Sequence, residues 1–226
     1  MSKRAFILGS SGELLDHDLS LLKGETVFGV NALPLRIPEI ITHYVCIDII
    51  MAFAPEIRAL VPKTAKKYYS TLVWNTIYEE EGVHPVDIIS DDHIGFEFST
   101  DRVYSGRTCT YVALQIAAAL GYDEIYLLGI DLGLPENGIM HIPEQQKMRE
   151  LIWAKNLRHP MVDKRATPDK IDSNLKFYQR AFLIARDAMK KRGIKVVNLS
   201  KGGNLNCFPR ESYEELLAKK EEVNVF

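Results

Sequence analysis

Five short polar residues stand where apolar runs stop: Ser10 and Ser11 after AFILG, Asn31 after TVFGV, Asp48 after HYVCI and Asp131 after EIYLLGI. Apolar runs of that length read as buried strands, and polar groups at the carboxyl ends of parallel strands face a shared crevice. A second feature is the stretch RVYSGRTCTYVALQIAAALGYDEIYLLGID, from Arg102 to Asp131. Its opening, Tyr104 to Arg107, reads as the entrance to an apolar helix, with Ser105 as the expected N-cap and Gly106 allowing a close backbone approach. Free amides at such an entrance suit an anion. A Gly-rich turn, KGGNLNCF, follows the strand IKVVNLS and adds another polar strand end. A pocket lined by these amides and hydroxyls would fit a nucleotide. The turn LGSSGE is neither a Walker loop nor the Gly-x-Gly-x-x-Gly fingerprint, and Glu13 just behind it opposes a phosphate at that point.

The elements that must position these groups follow in α/β order. AFILG is a strand, and ELLDHDLSLLKG is a short helix carrying Leu14, Leu15, Leu19, Leu21 and Leu22. TVFGVN and HYVCID are strands, and MAFAPEIRALV is a helix interrupted or begun at Pro55. KKYYSTLVW, VDIIS and GFEFS read as three further strands. A helix from about Thr108 to Leu120, stopped by Gly121, leads to EIYLLGID, which is apolar on both faces and belongs in the middle of a covered sheet. PDKIDSNLKFYQRAFLIARDAMKKRG is the strongest helix; IKVVNLS is the last strand and SYEELLAKKEE the last helix. The expected fold is a single α/β domain spanning residues 1–226, Rossmann-like and doubly wound, with a mainly parallel sheet. A lid-like excursion is expected between Gly133 and Pro168, with a helix in its centre and Glu144 to Asn156 lying over the crevice.

Composition narrows the function classes. The chain of 226 residues carries 28 basic and 30 acidic residues, a formal charge of −2, so no basic field points to a nucleic-acid partner. Cys46, Cys109 and Cys207 are widely spaced with no Cys-x-x-Cys pair, and Cys46 and Cys109 lie in apolar segments as core thiols. AFIL is too short for a signal h-region and no apolar run reaches transmembrane length, so a reducing cytoplasm and no integral membrane segment are expected.

GSSGELL, then VNALPL, then RVYSG leading through a helix into AALGYDEIYLLGID resembles the bacterial family 42 sialyltransferases. The broader set around that family includes the archaeal-type 6-hydroxymethylpterin pyrophosphokinases. The resemblance covers the whole chain loosely and Arg102 to Asp131 tightly. It implies that Ser10 or Ser11 sits where the family has an Asn beside the donor's phosphate, and that Asn31 contacts the donor. Arg102 and Ser105 match the family's Arg-Ile-Thr-Ser-Gly element, whose Ser and Gly, here Ser105 and Gly106, lie against the donor; Asp131 matches the Asp of Gly-Ile-Asp. Asp48 joins this donor-binding set by its place at a strand end. The family's two tyrosines after Gly-Ile-Asp have no counterpart in LGLPENGIMH, where Gly133 and Ile139 or His141 stand. Arg102, Arg107 and Arg158 are the candidates to supply positive charge instead. The family also uses a His as general base, and His141 and His159 are the only histidines between that strand and the long helix. His141 is closer in sequence to Asp131.

The reading is a metal-independent glycosyltransferase that moves a sugar, sialic or a related nonulosonic acid, from a CMP-linked donor to a glycan hydroxyl. It needs no cofactor, and the resemblance implies a homo-oligomer. Two alternatives stay open. A pyrophosphokinase-like enzyme using ATP would need Mg²⁺ on carboxylates, for which Asp48 and Asp131 are a better pair than the turn Asp91, Asp92 and His93. HYVCIDIIMA carries a single Asp, which leans away from it. The other alternative is a nucleotide- or sugar-binding domain without catalysis.

Overall fold

The computed structural model describes residues 2–77, 82–89, 92–132, 139, 141–154 and 168–223. Eight strands form one sheet: β1 (Arg4–Leu8), β2 (Val27–Val30), β3 (His43–Cys46), β4 (Lys66–Ser70), β5 (Val83–Ile89), β6 (Arg102–Tyr104), β7 (Glu124–Leu128) and β8 (Lys195–Asn198). Their order across the sheet is β6-β5-β4-β3-β2-β1-β7-β8, and every neighbouring pair is parallel. The chain therefore winds outward from β1 to β6, then returns to the other side of β1 for β7 and β8. The carboxyl ends of β1 and β7 bound the switch point, where ligands enter open α/β sheets.

Alternation along the strands divides the core between two faces. Phe6, Leu8, Tyr44, Cys46, Tyr69, Tyr126 and Leu128 pack on one side with residues of α1 (Ile49–Phe53), α2 (Pro55–Arg58), α3 (Thr71–Ile77), α5 (Pro143–Ala154) and α7 (Tyr213–Val223). Ala5, Ile7, Phe28, Val45, Ile125 and Leu127 pack on the other with α4 (Cys109–Ala119) and α6 (Pro168–Lys191). Helices on both faces make the fold the expected Rossmann-like, doubly wound α/β type. α4 is buried from Cys109 through Ala118, with a sheet below it and α6 above; its sequence is apolar apart from Thr110 and Gln115, and Gln115 bonds the Glu97 and Tyr104 amides.

Several local expectations need correction. The segment after the first turn forms two 3₁₀ helices, Gly12–Asp16 and Leu19–Leu22, rather than one α-helix. Ser11 caps the first and Asp18 the second, so two side chains that compete for backbone amides split the run. KKYYSTLVW is strand only as far as Ser70, after which Thr71–Ile77 is helical, and GFEFS forms no strand. As expected, Pro55 interrupts MAFAPEIRALV and divides it into α1 and α2, since it offers no amide to continue the first helix. The helix expected inside the excursion is α5; the remaining residues between 133 and 167, apart from 139, 141 and 142, lie outside the described residues.

Candidate functional site at the sheet switch point

The site begins with the pairing of β1 and β7. Leu8 lies opposite Leu128, and Ser11 and Asp131 each follow three residues later. Ser11 Oγ donates a hydrogen bond to Asp131 Oδ2. The two chains pass so closely that a Cβ on Gly9 would stand 2.0 Å from the Gly129 carbonyl oxygen, and one on Gly203 would stand 2.6 Å from Asp131 Cα. Glycine is needed at both places for contact between backbones.

Two buried acids meet there. Glu13 and Asp131 are each 4 % exposed, and their carboxyl groups interact directly. Burial, opposed by the Ser11 hydroxyl and reinforced by Glu13, pushes the Asp131 carboxyl up to about 7. Burial would raise Glu13 as well, but His17, the Lys201 amide and Asp131 hold it below the ordinary carboxylate range. Asp131 Oδ1 and Glu13 Oε2 are buried with no hydrogen-bond partner among the described residues. Orphaned oxygens of that kind are places where a donor from outside the fold would be accepted.

The wall behind the acids is the turn after β8. Gly129 N donates to Ser200 Oγ at 3.1 Å, and Asn204 N donates to the Asp131 carbonyl at 2.5 Å. The Arg210 guanidinium fastens this turn through the carbonyls of Ser200, Gly202 and Gly203 and the side chain of Asn206. On the other side, Ile142 N donates to the Ser10 carbonyl at 2.9 Å and Gly12 N donates to the Ile139 carbonyl at 3.0 Å. His141 is thereby held beside the Ser10 backbone.

A second group assembles at the ends of β2 and β3. Asn31 adopts a left-handed backbone (φ 51°) and its Oδ1 accepts from Cys109 Sγ at 2.9 Å and Cys46 Sγ at 3.7 Å. Ile47 N in turn donates to Cys109 Sγ at 3.3 Å. The amino end of α4 therefore sits over the carboxyl ends of β2 and β3. Asn31, Ser10 and Thr108 are half-buried, so a ligand lying along this edge would reach them.

The expected residues divide accordingly. Ser11 and Asp131 touch, and His141 lies at the same turn through Ser10. Asn31 joins the α4 end. Ser105 is fully buried and Thr108, not Ser105, caps α4, its side chain accepting from Thr110 N. Ser105 Oγ accepts from Arg107 N at 3.0 Å and shapes the turn before the cap. Gly106, at φ 51°, is bare because a Cβ there would stand 2.3 Å from the Tyr111 ring. The close approach is to Tyr111. Arg107, also left-handed at φ 58°, lies over the Phe177 ring and bonds Asn174 at 3.1 Å.

Arg102 does not reach the crevice. It opens the edge strand β6, exposed and 3.4 Å from Asp87, five strand spacings or roughly 24 Å from β1 at about 4.8 Å each. Asp48 turns its carboxylate to the amides of Ile50 and Met51, at 2.9 and 3.4 Å, and caps α1. Three strand spacings separate it from Asp131, so the pair does not converge. Among the described residues no three His, Cys, Asp or Glu side chains are grouped to hold a metal ion. His159, Arg158 and Asp91 lie outside the described residues.

No protein-family model, curated protein or solved structure matches this chain. The site's own geometry carries its interpretation. Sequence reasoning missed Glu13 as a partner of Asp131, and missed His17. The spacing of Glu13 and His17, four residues apart behind the Ser-Ser turn, was the available signal.

Proposed function

We propose that the chain is a glycosyltransferase resembling the family 42 sialyltransferases, moving a nonulosonic sugar from a CMP-linked donor to a glycan hydroxyl by direct displacement without a metal. One observation carries this reading: the amino end of α4, held against Asn31, adjoins the Ser11–Asp131 crevice along one edge of the sheet. Displacement needs a seat for the departing phosphate and, next to it, a group that takes the proton of the incoming hydroxyl. The first belongs at the α4 end, where helix amides and Arg107 favour an anion. The acids Glu13 and Asp131 disfavour a phosphate in the β1 turn itself, which leaves that end of the crevice to the acceptor.

The pyrophosphokinase alternative is less well supported, because Asp48, needed beside Asp131 for its Mg²⁺ pair, caps α1 instead. A thermal-shift titration with CMP, CDP, UDP, GDP and ATP, each with and without Mg²⁺, tests the reading. Stabilisation by CMP that does not depend on Mg²⁺ is the expected result. Stabilisation by ATP only with Mg²⁺ would transfer the proposal to the alternative, and no response to any nucleotide would end it.

A further inference from the structure

Taking a proton inside this crevice raises the question of where it goes. Asp131 is buried, and Ser11, on one of its oxygens, is buried too. A line of ionisable groups leads away from it. The Glu13 carboxyl interacts directly with that of Asp131. His17 lies behind Glu13, its Nε2 3.8 Å from Glu13 Oε1, too long for a hydrogen bond and close enough for an ion pair. The other ring nitrogen, Nδ1, is 2.9 Å from Glu214 Oε1 on α7. The His17 side chain has no exposure at all, whereas that of Glu214 is 51 % exposed. Four groups thus run from a buried orphan oxygen to water.

We propose that Asp131 is the proton acceptor of the transfer, and that Glu13, His17 and Glu214 form the path by which the proton reaches solvent. The proposal rests on the transfer reading above. In the step, the acceptor O–H bond breaks and its proton passes to Asp131 Oδ1 as the oxygen bonds the anomeric carbon. The bond from that carbon to the donor phosphate oxygen breaks, and its electron pair leaves with the phosphate. Asp131, now a carboxylic acid, returns to carboxylate by passing a proton to the neighbouring Glu13 carboxyl; Glu13 passes it to His17 Nε2 when the 3.8 Å gap between them closes to hydrogen-bond distance, and it leaves from Nδ1 through Glu214 to water. Glu13, His17 and Glu214 act through Asp131 and are positioning residues.

The surroundings fit these roles. The charged groups facing the acids are Arg210 and Lys201 from the turn after β8, with Lys201 Nζ 3.6 Å from Glu214; His141, in the segment before α5, lies beside the Ser10 backbone. Burial and Arg149 pull the His141 imidazole down to about 4, so near neutral pH it holds a proton poorly. Asp131 stands at about 7, where a general base works best at neutral pH. Glu13 first, and Glu214 after it, raise His17 above its ordinary value, matching it to receive a proton from an acid.

The experiment follows CMP release from CMP-N-acetylneuraminic acid across pH in the wild type, Asp131→Asn, Glu13→Gln and His17→Ala, with CMP thermal shifts on each. Asp131→Asn is expected to keep its CMP stabilisation and lose about 100-fold or more in kcat. Glu13→Gln is expected to move the ascending limb of the pH profile to lower pH. His17→Ala is expected to slow turnover and to recover it when imidazole is added, which a purely structural loss would not do. Asp131→Asn within 10-fold of wild type, or His17→Ala at full rate, would overturn the proposal. If the wild type shows no CMP stabilisation, the transfer reading fails by itself. The acid pair is then judged by ¹³C-carboxyl NMR of the wild type and Glu13→Gln: an Asp131 titration near neutrality that falls in the variant supports it, and one in the ordinary acid range overturns it.

Discussion

The Ser11 hydroxyl donates a hydrogen bond to Asp131 across the β1–β7 boundary, and its oxygen accepts one from the Glu13 amide at 3.1 Å. One side chain thus caps the first 3₁₀ helix and steadies the acid. Ser11→Ala removes both contacts and is expected to lower stability by about 2 kcal/mol in urea titrations. Since the hydroxyl opposes the upward push of burial, the Asp131 titration should also move to higher pH in that variant.

The raised Asp131 makes a signed prediction about stability. Between about 4 and about 7 the folded state holds a proton that an unfolded aspartate has lost, so folding takes up a proton there and stability falls as pH rises through that window. Asp131→Asn cannot ionise. Its stability relative to wild type is expected to improve steadily from pH 4 to 7 and level off above, as read from urea midpoints at each pH. A difference independent of pH would refute the raised titration.

Acid should act on two histidines in the opposite sense. Burial holds His43, stacked 4.3 Å from Phe28, down to about 4, and His141 is depressed to the same level. Unfolding lets each take up a proton below about 6.5, so their contribution is complete above that value and is lost as pH falls toward 4. His43→Phe should reduce the slope of stability against pH in this range by up to ~1.4 kcal/mol per pH unit, one proton's worth.

Donor binding separates two residues that sequence reasoning grouped together. Asn31→Ala removes the acceptor of two thiols and leaves a β-carbon in a left-handed backbone, so CMP stabilisation should fall together with about 1 kcal/mol of fold stability. Arg102→Ala, on an exposed edge, should change neither CMP binding nor stability by more than about 0.5 kcal/mol. Loss of CMP binding in Arg102→Ala would place the donor elsewhere on the sheet.

These contrasts mark what the amino-acid order makes legible. Apolar runs ending on Ser11, Asn31 and Asp131 located the carboxyl edge because strand burial is written locally, in short runs rich in Val, Ile, Leu and Phe. α4 and α6 were equally plain, α4 starting at Cys109 and α6 ending at Lys191. Arg102 was misjudged because motif order does not fix strand order: β6 follows β5 outward to the far edge, while β7 returns to the centre. Glu13 looked like an obstacle to phosphate because its partner lies more than a hundred residues away. Ser105 and Thr108 are both competent caps, and only the path of the chain over Tyr111 decides between them.

The switch-point topology also has a history in time. The two residues of the Ser11–Asp131 contact are 120 positions apart, and β1 lies between β2, made soon after it, and β7, made long after. During synthesis at about 5–20 residues per second, one edge of β1 waits roughly 6–24 s for its second neighbour. Over that interval Ala5, Phe6, Ile7 and Leu8 belong to an unpaired apolar edge of the kind that seeds misassembly on the ribosome. The contact that completes the site is thus also the one that ends the time β1 spends with one edge unpaired.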